Sequence, residues 1–494
     1  MTTTWTIAVD WNKNGSYTDT NDDVTSRVIS ANWFLGMREA YQDVADNSVL
    51  SLMLKNDDRL YSPEYSSSPL TGLLVPFRPV RIQSNDGTTT RTHWTGWIES
   101  IQPTVNQYGQ RTVQIVATGA MQLYKAAETK IPLQVNKRTD EVIATLLAEV
   151  PGMPTSVLDQ GKQTLSVAGD NWVRQGGYTD AEEDTFDVYH AISDTVAVER
   201  GHFFFDRQGQ PTFWNRHHLL VEQTVAATFN DSMIDLDYTF AGIDECKNEI
   251  AIVCQPRSIG VSSSDILWQL TDAVILVQAG QTRKIYVKYQ DDSANRIGGQ
   301  NVTLTDVAFS QGTATSSITA NANGAELAFT NNGGIDAIVT SAIVRGQKIT
   351  TFDRIEATSK DQTSIDNYGR RTMRLNLPAE TSFSDAQDIA DFERIRRSQP
   401  RGTVSALKLV SHGTLGGGNQ PQQLALTVGQ RIAVSETQTA HNSNYYIIGE
   451  THQLTMGAML YETVWYLEPT PSVYPWQLNN ATYSILDSTT KLAY

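Results

Sequence analysis

The sequence predicts a mainly β, multidomain protein: two related β-barrels, a small α+β domain and an inserted immunoglobulin-like β-sandwich. Three observations predict it. Thr, Ser, Asn and Gln are abundant beside 19 Tyr and 10 Trp, and long Ala/Glu/Lys/Leu runs are missing, a mixture that favours strands and turns over helix bundles. A set of strand-like segments at 47–118 recurs in the same order at 248–469. Two stretches break that pattern, one helical in period and one alternating without interruption.

Residues 1–127 read as the first barrel. "SVLSLMLKN" (48–56) alternates like a half-buried strand, and a Pro/Ser-rich loop follows it. "RPVRIQSNDGTTTRTHWTGWIESI" is a hairpin turning at Asp86-Gly87, and "QRTVQIVATG" adds another strand.

Residues 128–225 read as the α+β domain. "TDEVIATLLAEVPG" (139–152) sets Thr139 as N-cap, acids in the first turn, a stripe of Val142, Ile143, Leu146, Leu147 and Val150, and a Pro151-Gly152 stop. "DTFDVYHAISDTVAVERG" (184–201) is a second helix, and "HFFFDRQGQPTFWN" (202–215) returns to strands through Gln208-Gly209.

Residues 226–267 and 351–470 read as the second barrel, with a helix at 384–398 capped by Ser384 and basic in its last turn. Between them, 268–350 alternates throughout with Asn/Gly turns, as a sandwich does. Residues 471–494 form a C-terminal extension.

In the repeat, "NSVLSLMLKN", "FRPVRI", "WTGWIESI" and "RTVQIVAT" (47–118) are echoed by "NEIAIVCQP", "GQRIAVS", "YIIGETHQL" and "ETVWYLEP" (248–469). Two similar barrels per chain have a geometric use: a trimer presents six in a ring and adapts sixfold to threefold symmetry.

The formal net charge is −16, with 38 basic against 54 acidic residues, which argues against binding the outside of a nucleic acid. An acidic lining past which DNA slides is compatible with it. Cys246 and Cys254, the two cysteines, are too far apart along an extended run to bridge, and read as buried thiols. No basic and apolar leader opens the sequence and no apolar run spans a membrane, so the reading is a chain made in a cytoplasm.

Motifs of chemistry were sought residue by residue. Asp10-x-Asn12-x-Asn14-Gly15 imitates the start of a calcium loop, but Asn21 stands where a bidentate Glu is needed. The stretch reads as a hairpin tip of the first barrel, without metal. No G-x-S-x-G, H-E-x-x-H, P-loop or G-x-G-x-x-G occurs. His217-His218 beside Trp214 and Arg216 would diverge on a strand and read as a surface loop. Asp170, Asp180, Glu182, Glu183 and Asp184 form an acidic cluster with room for paired carboxylates; helix-dipole complementation and a solvated face explain it better. "SHGTLGGGNQPQQ" (411–423) is a glycine-rich loop. Trp5, Trp11, Trp33, Trp94 and Trp97 read as core or interface anchors rather than sugar platforms. The expectation is therefore no catalytic, metal or cofactor site, and no enzyme.

Beyond these readings, several stretches resemble minor tail proteins of long-tailed bacteriophages. They are "VDWNKNGSYTD…DDVTSRVISANW", "LSLMLKNDDRLYSPEYSSSPLTG…RPVRI", "WTGWIESI", "NNGGIDAIVTSAIVRGQKI", "YGRRTMRLNLP", "VGQRIAV" and "YIIGETHQL". The resemblance runs to about residue 470. In that family the opening stretch is richer in Asp than it is here. The resemblance implies a baseplate hub-like fold with two tube-type β-barrels. It also implies a virion protein at the distal tail end: a homotrimeric tail hub closing the tube and gating genome release. Its implied partners are a distal tail protein hexamer or the tube, a tape measure protein, central tip or fibre proteins, the host surface indirectly, and DNA only in passage, with no stable membrane association. Two other classes stay open at this point: a tail adhesin binding glycans through the sandwich, and a hub that cleaves peptidoglycan.

Overall fold

The computed structural model describes residues 2–104, 110–129, 131–170, 172, 187–221, 224–240, 245–271 and 273–471, and the backbone of 474–475 and 490–491. It is mainly β and multidomain, as the composition and alternation predict.

Six strands form the first unit: β1 (Thr4–Val9), β2 (Val28–Gly36), β3 (Val49–Lys55), β4 (Pro79–Asn85), β5 (Thr90–Pro103) and β6 (Thr112–Thr118), in the sheet order β1-β4-β5-β6-β3-β2. The two-residue period sets the fold locally. In β3, Leu50, Leu52 and Leu54 are buried while Val49 and Lys55 face outward. These leucines pack with Trp33, Val80, Ile82, Trp94, Val113 and Ile115 in one core. Burying each such side chain contributes about 1.5–3 kcal/mol.

The second unit is β7 (Val225–Asn230) and β8 (Asp235–Phe240), joined after a long excursion by four later strands. The excursion begins with β9 (Glu249–Cys254), β10 (Ile355–Lys360) and β11 (Thr372–Leu377). The returning strands are β12 (Gly402–His412), β13 (Arg431–Glu436), β14 (His441–Thr455) and β15 (Leu460–Pro469). Their order is β7-β13-β14-β15-β12-β8, so strand for strand the unit copies the path of the first. One difference is that β1 runs antiparallel to β4 whereas β7 runs parallel to β13.

The copy extends to single bonds. In the first unit the Ile98 amide donates to the Arg78 carbonyl (2.8 Å) and its carbonyl accepts from Phe77 (2.7 Å). In the second, Ile447 does the same with Gln430 (3.0 Å) and Gly429 (2.7 Å). A β-bulge follows each isoleucine, between Ile98 and Ser100 and between Ile447 and Gly449.

This topology corrects one pairing in the repeat. The counterpart of β3 is β12 (Gly402–His412), not the segment 248–256. That segment's β9 lies between β10 and β11 in a separate three-stranded sheet. Its six residues are all buried, whereas a half-buried barrel strand alternates. Helix α3 (Phe383–Arg397) contributes Ala386, Ile389 and Ala390 to the core containing that sheet's Ile250, Ile252, Ala357 and Leu377. The same core includes helices α1 (Thr139–Leu147) and α2 (Val188–Glu199). Residues 249–254, 355–377 and 383–397 therefore share a core with the α+β region rather than with the second unit.

Helix ends differ from expectation by a residue or a turn. Arg138 caps α1, with Glu141 reaching back to its amide, while Thr139 donates to Glu199. Asp187 caps α2 and Ser382, not Ser384, caps α3. The residues expected before α2, 184–186, lie outside the described residues.

The inserted region is two sheets around their own core. Arg257–Ile259, Asp265–Gln269, Ile275–Val277 and Gly299–Gln311 pair with Ala337–Thr351, and Thr282–Lys288, Gly324–Thr330 and Thr315–Ala320 face them. The sandwich is tied down. Arg257 and Asp170 form a buried ion pair (2.7 Å), and the Asn323 side chain donates to the carbonyls of Asp170 (3.2 Å) and Trp172 (3.0 Å).

Among the described residues, no helix is long and apolar enough to cross a membrane.

Candidate assembly interface

The two units meet along one seam. Ala31–Gly36 of β2 pairs antiparallel with Gly449–Leu454 of β14, fusing both units into a single twelve-stranded sheet. Along it Trp33 stacks on His452, with ring centroids 5.1 Å apart and 15° between planes. Leu35 stands opposite Glu450.

The seam ends where two glycines face each other. Gly36 adopts φ +90°, and a Cβ on Gly449 would lie 1.9 Å from the Met37 carbonyl oxygen. Met37 donates from its amide to the Ile448 carbonyl (2.9 Å), so the backbones stay in contact as β2 turns away.

A plug from the α+β region seals the seam. Arg207, in the turn after the strand His202–Phe205, donates to both oxygens of Glu450 (2.6 and 2.7 Å) and to the carbonyls of Leu424 and Leu426. Burial pushes the Glu450 carboxyl up, but the Arg207 charge and hydrogen bonds from His452 and Arg207 outweigh it and hold it at about 2. His452 and His93 are buried nearby, ring centroids 6.1 Å apart, and burial drives both below the ordinary imidazole value. The Arg207 charge and His452 lower His93 further, whereas at His452 Glu450 opposes the depression and Arg207 adds to it less. Ser84 bonds one ring nitrogen of His93 (2.7 Å) and Tyr461 one of His452 (2.8 Å), while His93 Nδ1 is buried without a hydrogen bond among the described residues and His452 Nε2 lies 3.4 Å from Glu450. Sequence reading missed Arg207 and Glu450. The available signal was a lone acid inside the apolar run "YYIIGETHQL".

The residues weighed as chemistry fall elsewhere. Asp10 opens a loop closed hairpin-fashion by a single antiparallel bridge, Ala8 opposite Asp23, although the ladder partner of β1 is β4. Its carboxylate accepts from the amides of Asn14 (3.1 Å) and Gly15 (2.8 Å), while Asn12 and Asn14 both donate to Asp19. The loop's oxygens thus serve its own backbone and amides. Among the described residues no cluster of His, Cys, Asp and Glu is arranged to hold a metal.

His217 and His218 lie in a turn and at the start of the short helix His218–Val221, both half-buried, rather than on a strand. His218 stacks on Trp214 (4.3 Å, 7°) and bonds Asp159 (2.8 Å). His217 is half-buried, and burial lowers it to about 4. Of the acidic cluster, Asp170 is spent on Arg257, and 180–184 lie outside the described residues. Trp5, Trp11, Trp33 and Trp94 are core residues, and Trp97 stacks on Phe77 (5.7 Å, 10°). Cys246 and Cys254 are buried free thiols.

A carboxylate pair does occur at Glu380 and Asp385, bridged by the Gln163 amide (3.1 and 2.6 Å). Burial pushes Glu380 up to about 7, the range of a general acid. Glu380 is buried in the protein, out of reach of a polymer substrate.

No family model and no curated protein matches the sequence. Solved structures do. The tail protein from Neisseria meningitidis MC58 superposes with a TM-score of 0.50 at 10% identity, over 94% of this chain and 96% of that one. The chain has the fold of that tail protein. The prophage MuSo2 43 kDa tail protein from Shewanella oneidensis matches at a TM-score of 0.47 and 9% identity, over 94% and 98% of the two chains. A type VI secretion component from E. coli, described as similar to T4 tail proteins gp27 and gp5, matches at 0.38 and 9%, over 94% and 76%.

Proposed function

We propose that this chain is the structural hub of a phage tail: a homotrimer at the distal end of the tail tube that adapts sixfold tube to threefold tip. The observation that carries the reading is the duplicated six-stranded unit within one chain, joined by a seam rather than by a flexible linker. Three such chains supply six quasi-equivalent units, the number a hexameric tube presents. The phage-tail fold of nearly the whole chain supports it.

The charge of −16 suits a lumen that DNA passes without adsorbing, since each Lys or Arg on a phosphate would retard sliding strands. On this reading the ring seats on a tube or distal tail protein hexamer, receives the tape measure protein and carries the tip or fibre proteins that gate genome release. With Glu380 buried, the Glu380–Asp385 pair lends the hydrolase reading no support among the described residues.

Immunolabelling of intact particles tests the placement. Label at the distal tail tip is expected; label along the tube or at the head–tail junction overturns it.

A further inference from the structure

The in-chain seam leaves its own two edges over, one on each side of the molecule. In the repeat, β8 stands where β2 stands, and the outer edge of β8 ends the sheet. The counterpart of β14 is β5, and among the described residues no strand pairs with the outer edge of its end, Ile101–Thr104. Each unit thus holds one half of the seam that joins the two units inside the chain. Resting on the hub reading, we infer that β8 of one copy pairs antiparallel with the end of β5 of the next, in the register of β2 on β14.

That register names the contacts. Leu236 faces Leu407 as Ala31 faces the equivalent Leu52, and counting along β8 from there places Tyr238 and Phe240 at the positions of Trp33 and Leu35; the extra residue opposite them, Ser405, belongs to β12. It places Ile101 and Pro103 at the positions of Glu450 and His452. Phe240 therefore meets Ile101 as Leu35 meets Glu450, and Tyr238 covers Pro103 as Trp33 covers His452.

The side chains fit these roles. Leu35 is 2% exposed inside its seam, whereas Phe240 is 68% exposed, the burial its counterpart has and it lacks. Glu450 is matched by Arg207, whereas its counterpart Ile101 is apolar and half-buried against the first unit's core. Covering Phe240 and Ile101 removes from water the surface that a lone chain leaves wet.

Two differences bound the seam. Pro103 has no amide proton, so this ladder is one bond shorter than the internal one. Ser100 stands where Gly449 admits the Met37 carbonyl, so close pairing stops at Phe240 opposite Ile101. The contact is head-to-tail, and it closes a ring only if the rotation between units returns to the start.

Cysteines at Thr239 and Gln102 test the register, because these residues occupy the positions of the facing pair Phe34 and Thr451. Facing residues on antiparallel strands lie about 4.5–5.5 Å apart, within disulfide reach. The full chain carrying Thr239→Cys and Gln102→Cys, oxidised and run without reductant, is expected to give a reducible ladder that stops at three chains. Each single variant and the wild type, whose own thiols are buried, stay at one chain. An uncross-linked double variant that still scatters light as a trimer overturns the seam and leaves the hub reading standing. A ladder running past three chains keeps the seam and overturns the closed trimer. As an independent arm, Phe240→Glu alters a side chain exposed in the single chain and is expected to lose the trimer while keeping the folded circular dichroism spectrum. A stable Phe240→Glu trimer overturns the seam.

Discussion

Arg207 grips both oxygens of Glu450, at 2.6 and 2.7 Å, across the line where the two six-stranded units fuse. The acid belongs to β14 and the base to the α+β region, so one ion pair fixes that region to the second unit beside the seam. Both groups are out of water, and removing one partner strands a buried charge at a cost of about 3–5 kcal/mol. Arg207→Met should therefore lower the denaturant midpoint strongly. Arg207→Met combined with Glu450→Leu should recover much of the loss, since an apolar pair leaves no stranded charge. Urea unfolding of the three proteins checks the order.

The same pocket sets an acid response. Burial depresses His93 and His452 in the folded state, so they contribute stability that is present above the unfolded imidazole value near 6.5 and lost as pH falls below it. Glu450 is also depressed, to about 2, so its share is present above its unfolded value and is lost only between that value and about 2. Stability should fall from pH 6.5 downward by up to about 1.4 kcal/mol per pH unit for each histidine. Thermal melts from pH 7.5 to 4.5 should show the slope, and His93→Gln should flatten it.

Gly449 is a steric requirement. A methyl there meets the Met37 carbonyl oxygen at 1.9 Å, backbone against backbone, with no flexible side chain to yield. Gly449→Ala should cost about 3 kcal/mol or more, as overpacking does in rigid interiors. Gly457, with nothing within 4 Å of its added Cβ but a φ of +66°, supplies the contrast. Gly457→Asn should be nearly neutral, because Asn tolerates that conformation. Chemical denaturation of both variants decides.

Deleting the sandwich has two separable effects. It contributes no strand to the twelve-stranded sheet, so replacing 265–349 with a short Gly/Ser linker should leave the trimer intact. The deletion keeps Arg257 but removes Asn323 and its bonds to the carbonyls of Asp170 and Trp172, so the α+β region should melt earlier than the six-stranded units. Hydrogen exchange is expected to rise around α1 and α2 and not in β3 or β6.

Much of this was legible in the sequence. Leu50, Leu52 and Leu54 announce β3 because burial on one face leaves a period of two, and Asp86-Gly87 announces the hairpin of β4 and β5. Strand partners were not legible. β9 and a barrel strand are both short apolar runs, and a run's own residues do not say which sheet receives it. Gly402–His412, the true counterpart of β3, went unread because its Ser405 and Lys408 dilute the alternation. Arg207 sits in a turn, where a cation reads as solvated, and only the fold carries it to Glu450.

The central claim, six quasi-equivalent units from three chains, is tested most directly by imaging the assembled tip at a resolution that traces strands. The predicted result is a ring of six units from three copies, in which seams of β2 on β14 within a chain alternate with seams between chains. Six copies around the axis, or a twofold dimer burying the same edges, would contradict it.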